Sequence, residues 1–123
     1  MYRTLLILLT FCCVTPALAQ SPRTQLVGVW AFKRGIGGPC ASLIQDLHYY
    51  FQSDGRYSTR AKMRTPAGSK DFSYSGTYVA TDTSTTAYVD GHTIGPYPYT
   101  IRNDVLTISQ PEHGCKVELV RED

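Results

Sequence analysis

Leu47-His48-Tyr49-Tyr50-Phe51-Gln52, then Ser53-Asp54-Gly55, then Arg56-Tyr57-Ser58-Thr59-Arg60-Ala61-Lys62-Met63-Arg64 is the stretch that decides the fold class. In its first part Leu47, Tyr49 and Phe51 alternate with Asp46, His48 and Gln52, a period of two that puts the bulky set on one buried face of a strand. Tyr50 alone breaks the polarity contrast. Ser53-Asp54-Gly55 supplies a tight reversal, with Gly55 able to take the positive φ that it needs. Beyond it Tyr57, Thr59, Ala61 and Met63 share one face, and Arg56, Arg60, Lys62 and Arg64 share the other. Two half-buried strands joined by a short turn are an antiparallel hairpin.

The same period runs outward in both directions. Phe72, Tyr74, Gly76 and Tyr78 alternate with Ser73, Ser75 and Thr77, with Gly76 expected to mark a bend or bulge. Tyr97, Tyr99 and Ile101 lead to Asn103-Asp104 and are answered by Leu106 and Ile108, a second hairpin. The segment Thr65-Pro66-Ala67-Gly68-Ser69 reads as a loop because proline and glycine punctuate it. Eight strands are predicted, at 26–33, 45–52, 56–64, 72–80, 85–90, 97–102, 105–109 and 115–121. No long segment carries a helical period, and only a single helical turn is expected at residues 41–45. Many short strands joined by hairpins predict an all-β fold, an eight-stranded antiparallel up-and-down barrel, which removes the exposed edges of a flat sheet. A two-layer sandwich is the competing architecture.

The first 19 residues are expected to lie outside this domain. Arg3 precedes an apolar run from Leu5 to Val14 and then Thr15-Pro16-Ala17-Leu18-Ala19, the order of a secretory signal peptide, too short to serve as a membrane span. Cleavage after Ala19 leaves residues 20–123 as a single secreted or periplasmic domain, with no stable membrane insertion. Of the four cysteines, Cys12 and Cys13 go with the signal. Cys40 and Cys115 remain, and an even pair in an exported chain predicts a disulfide from the start of the domain to its end. A metal site using Cys40, His113 and Cys115 is the weaker reading, because His48 and His92 are poorly spaced to complete it. Neither a metal nor a cofactor is expected. The chain has 12 basic and 10 acidic residues and no basic tail, which argues against nucleic acid as a partner.

Gly28-Val29-Trp30 in the first strand is similar to the G-x-W signature of the lipocalin superfamily, and Arg121 stands where those proteins place an arginine that packs over the tryptophan. Thr81-Asp82-Thr83 departs from their second motif, and their long terminal helix is absent. In size the chain more closely resembles small bacterial secreted barrels with one disulfide, which include periplasmic inhibitors of metalloproteases. The resemblance implies a lipocalin-like barrel, with inhibition by an N-terminal segment that enters a protease cleft. Gln20, Ser21, Pro22 and Arg23 belong to that segment here.

Other residues invite functional readings of their own. No serine sits in a G-x-S-x-G elbow, and the histidines have no acidic partner evident in the sequence, so no catalytic residue is assigned and an enzyme is not expected. Gly35, Ile36, Gly37 and Gly38, before Pro39, lack the lysine and hydroxyl of a phosphate loop and read as a strand connection or contact surface. Arg56, Arg60, Lys62 and Arg64 form a basic stripe that is either laced by Asp46 and Asp71 or offered to a partner. Nine tyrosines, four phenylalanines and one tryptophan can fill a small barrel, line a cavity or make contact hot spots. The leading expectation is a non-enzymatic module that binds another exported protein, such as a hydrolase it inhibits. The alternative is a carrier of a small hydrophobic or anionic ligand in an aromatic-lined cavity. Cations converging inside the barrel favour the anionic ligand; cations facing solvent above a filled core favour a partner surface.

Overall fold

The computed structural model describes residues 20–122, so the expected signal segment lies outside the described residues. Eight antiparallel strands close into an up-and-down barrel in sequence order, β1 (Gly28–Ile36), β2 (Ile44–Phe51), β3 (Arg56–Thr65), β4 (Gly68–Ala80), β5 (Ser84–Val89), β6 (His92–Arg102), β7 (Val105–Gln110) and β8 (Cys115–Glu122). The last strand returns to the first, pairing Trp30 with Arg121 and Phe32 with Leu119. Two short helical turns complete the chain, α1 (Pro22–Gln25) and α2 (Gly38–Ser42), with a 3-10 turn at Pro111–His113.

The alternation read from the sequence sets the inside and outside of this barrel. Leu47, Phe51, Tyr57, Ala87, Tyr99, Leu106, Ile108, Val117 and Leu119 are buried in one continuous core with Trp30 and Leu26. Asp46, Arg60, Lys62 and Asp71 are exposed on the other face. Full burial of each large apolar side chain contributes about 1.5–3 kcal/mol. The β2–β3 register continues this division, setting Leu47 opposite Ala61, and Asp46 opposite Lys62.

Several boundaries differ from the sequence reading, each for a physical reason. Residues 65–69 are not a loop: a two-residue turn at Pro66 and Ala67 joins β3 to β4, and the ladder runs to Thr65↔Gly68. Period-two apolarity fades there because this end of the hairpin stands clear of the core. β6 begins at His92, five residues before the start expected at residue 97, and runs through Pro96 and Pro98. Proline is tolerated where no neighbouring strand needs its N–H, and β6 meets β7 only from Tyr99 onward. The helical turn lies at Gly38–Ser42 and not at residues 41–45. Leu26 is not in a strand; it follows α1 as a fully buried plug. Gly76 makes no bulge, since the β3–β4 register passes through it unbroken. A Cβ at Gly76 would instead strike the Tyr88 carbonyl oxygen, so glycine is needed for β5 to approach β4.

The two ends of the barrel are built differently. At one end, α1 and Leu26 form a floor, held by Trp30 and Arg121. At the other, α2 packs on β1 and β8, and Cys40 is joined to Cys115 by a disulfide with a Cα–Cα distance of 5.8 Å. The disulfide consumes both thiols that the metal reading required. Among the described residues, no group of three or more His, Cys, Asp or Glu is placed to hold a metal ion, and no helix is long and apolar enough to cross a membrane.

Candidate functional site

The interior is nearly filled, and what remains open is an aromatic cup. Tyr49, Phe51, Tyr57 and Tyr97 line it with Thr85, Ala87, Ile94 and Ile108, around an unfilled volume of about 30 Å³. The strand period delivers these rings: Tyr49 and Phe51 are two apart on β2, and Tyr57 faces them from β3 across the pair Phe51↔Tyr57. Ring centroids lie 5.6 Å apart for Tyr49–Phe51, 5.5 Å for Phe51–Tyr57 and 5.0 Å for the edge-on contact of Phe51 with Tyr78, separations at which aromatic pairs attract.

The hydroxyls of this set are not equivalent. Tyr97 donates to the Glu112 carboxylate at 2.7 Å, Tyr99 to the Thr81 carbonyl at 2.7 Å and Tyr78 to the Gln52 carbonyl at 2.8 Å. The Tyr49 hydroxyl makes no such bond among the described residues. Burial, with the nearby Tyr57 and Tyr97 hydroxyls adding to it, holds Tyr49 protonated far above the ordinary tyrosine range. Burial also pushes Tyr57 up to about 12, against a small opposing effect of the Thr59 hydroxyl. Tyr99 rises to about 12, chiefly through burial and then through Asp82. Burial raises Tyr97 too, helped by its bond to Glu112, and that bond in turn lowers the Glu112 carboxyl.

These shifts predict an alkaline weakness. A tyrosine whose folded value exceeds its unfolded value near 10 adds stability that is complete below that value and is lost as pH rises through the folded value. Stability is therefore expected to fall between about pH 10 and 12, the window set by Tyr57 and Tyr99. The absorbance of ionised tyrosine near 295 nm checks this: a fraction of the tyrosines should ionise only together with unfolding, and ionisation of every tyrosine before the fold is lost would contradict it.

The basic stripe lies outside the barrel. Arg56 is tied to Asp54 at the β2–β3 turn, at 2.8 Å, and its backbone N–H and side chain together lower the Asp54 carboxyl. Lys62 stands between Asp46 and Asp71 in register. Among the described residues, Arg60, Lys62 and Arg64 form no ion pair within 4.0 Å. No arginine or lysine lines the cup, so an anionic group there would have no cation to meet. A shallow outer groove of about 230 Å³ gathers His48, Tyr50, Ser58, Arg60, Ser73 and Glu122. His48 lies between Asp46, 3.2 Å from Nε2, and Glu122, 3.6 Å from Nδ1. The sequence reading missed this cluster because Glu122 arrives only through closure of β8 on β1.

The remaining candidates are spread over the molecule. Pro22 and Arg23 belong to α1 in the floor, where the Gln20 carbonyl accepts a bond from the Gln25 side chain at 2.8 Å and Ser21 pairs with Thr24 at 3.0 Å. Gly35, Ile36, Gly37 and Gly38 lie at the far end of β1 beside the disulfide, about 30 Å away along a nine-residue strand. Gly28, Trp30 and Arg121 meet: the Arg121 guanidinium carbon lies 4.3 Å from the Trp30 ring centre. Gly28 has φ +141, and a Cβ on it would come within 2.8 Å of Arg121 Nη1, which explains why glycine stands two residues before the tryptophan. The barrel, its strand order and this floor give a lipocalin-like topology. Compared with protein-family models, with curated proteins and with solved structures, the chain finds no match.

Proposed function

We propose that this protein is a non-catalytic binding module that takes a small, largely apolar ligand at the aromatic cup, outside the cytoplasm and after loss of residues 1–19. The observation that carries the reading is the half-buried Tyr49 on the wall of the cup, whose hydroxyl has no hydrogen-bond partner among the described residues. A hydroxyl that no protein group engages is free to exchange its water contact for a hydrogen bond to a ligand. The unfilled volume of about 30 Å³ admits a group of water size or a little more. A ligand therefore places one hydrogen-bonding group there and rests its apolar body against the half-buried Ile94 and Tyr97. The ionisable groups lining the cup are tyrosines held protonated at neutral pH, which supports binding over proton-transfer chemistry.

Phenol, a ring bearing one hydroxyl, is the probe. Titrated into the 15N-labelled protein, it is expected to shift the amides of Tyr49, Tyr57, Ile94 and Ile108. Tyr49→Phe removes only the hydroxyl and is expected to weaken binding about fivefold to tenfold, with stability unchanged or slightly raised. Shifts confined to the outer groove around Arg60, or equal affinity in Tyr49→Phe, would overturn the assignment.

A further inference from the structure

Residues 68–76 of β4 are paired with β3 on one side only. The β4–β5 ladder starts at Thr77↔Tyr88, because β5 ends at Val89 and the chain turns back through Asp90 and Gly91. In such an edge, alternate residues turn their N–H and C=O groups away from the sheet, ready to bond another strand. Lys70, Phe72 and Tyr74 share its inner face. The Phe72 and Tyr74 rings are stacked 6.5 Å apart at 13°, Lys70 Nζ lies 5.5 Å from the Phe72 ring, and Tyr74 is 45% exposed. Ser69, Asp71, Ser73 and Ser75 share the outer face.

In the sequence of this edge, Gly68-Ser69-Lys70-Asp71-Phe72-Ser73-Tyr74-Ser75-Gly76, reversal about Phe72 matches Gly68 with Gly76 and Ser69 with Ser75, and sets Lys70 against Tyr74 and Asp71 against Ser73. We propose that it pairs antiparallel with the same edge of a second copy of this chain, about a two-fold axis at Phe72, so that one sheet continues from barrel to barrel. Symmetry restricts the choice. In a two-fold antiparallel pair each residue opposes one on its own face, so the axis passes through a residue position. An axis at Asp71 sets two carboxylates directly opposite each other, which is unfavourable. An axis at Ser73 leaves Gly68 and Ser69 unpaired. The axis at Phe72 uses the whole free edge and opposes Phe72 to Phe72, Lys70 to Tyr74, Asp71 to Ser73 and Ser69 to Ser75. Those are an aromatic pair, two cation–ring contacts and two sets of hydroxyl hydrogen bonds. Lys70 and Asp71 cancel in charge, so the edges do not repel.

Analytical ultracentrifugation of the purified protein from about 1 μM to about 1 mM tests this, with an increase from monomer to dimer mass expected. Ser73 is exposed and outside the core, so its variants leave the fold intact. Ser73→Asp faces Asp71 of the second copy twice and is expected to weaken the dimer about tenfold, while Ser73→Lys forms two opposite-charge pairs and strengthens it about tenfold. Phe72→Arg places like charges on the axis and is expected to abolish dimerisation. A chain monomeric throughout the range, or a dimer that responds alike to Ser73→Asp and Ser73→Lys, overturns the proposal. A monomer that instead binds an unrelated extended peptide along β4 overturns it as well, since the edge would then serve a foreign strand. Phenol binding at the cup is read separately and is unaffected by the Ser73 variants.

Discussion

Replacing Cys40 and Cys115 together with alanine is expected to lower the unfolding free energy by about 4 kcal/mol. The bond joins residues 75 apart in sequence, so its removal frees a long loop in the unfolded chain, and loop entropy grows with the logarithm of length. A domain of this size has a net stability of about 5–15 kcal/mol, so the loss is a large share of the total. Alanine is the right replacement because both cysteines are buried, and serine would add the separate cost of a buried hydroxyl. Urea unfolding followed by circular dichroism checks the value. The midpoint should fall and the slope should rise, because the open chain exposes more surface than the cross-linked one. A loss below about 1 kcal/mol would mean that the clasp adds nothing beyond the packing of α2 on β1 and β8.

The parts of this molecule legible from sequence are those where one side-chain property reports one structural fact. Leu47, Tyr49 and Phe51 alternate because one face of β2 is buried, and Arg60 and Lys62 alternate with Thr59 and Ala61 for the same reason, so the strand count and the direction of the basic stripe follow. The signal weakens where burial does. In residues 68–71 of β4 no core presses on either face, the pattern loses contrast, and the strand reads as a loop. Residues 92–96 of β6 go unread for a different reason: Pro96 argues against a strand unless its missing N–H is known to face no neighbour, and that is a property of the sheet.

The candidate sites follow the same division. Aromatic residues were recognisable as interior material, yet nothing local says that Tyr97 and Tyr99 find partners at Glu112 and Thr81 while Tyr49 does not. That difference depends on which loops come over the barrel's ends. The His48, Arg60 and Glu122 groove depends on closure of the last strand against the first, the longest-range step in the fold. The N-terminal residues read as an arm are drawn by Leu26 and Pro22 into a helical turn against the floor, a consequence of a single buried leucine that strand periodicity had absorbed into β1.

Arg121→Ala is expected to cost about 3 kcal/mol, although arginine is a surface residue in most proteins. Its guanidinium donates to the Gln25 carbonyl at 2.7 Å and to the Val27 carbonyl at 3.1 Å, and it covers the fully buried Trp30 ring at 4.3 Å. Alanine strips donors from two part-buried carbonyls, at roughly 1–3 kcal/mol for each group left unsatisfied, and removes a desolvated cation–ring contact of about 2 kcal/mol. Entry of water to the carbonyls returns part of that sum. The bond to Asp104 matters little, because that carboxylate is 75% exposed. Trp30→Ala is expected to cost about 3–5 kcal/mol, through the lost ring and the cavity it leaves, and it also leaves the Leu26 carbonyl without its indole donor. Because Arg121 acts largely by covering Trp30 and fastening the segment that Trp30 also holds, the two losses should not add: the double variant is expected to be about 1–2 kcal/mol more stable than the sum of the single losses allows. Arg121→Lys separates the causes, since a single ammonium retains the charge but cannot span both carbonyls and lie flat on the ring. Should the lysine variant recover most of the stability, charge alone would suffice; should the two losses add fully, the floor would not be one cooperative unit, and the glycine, tryptophan and arginine would share a location without sharing a purpose.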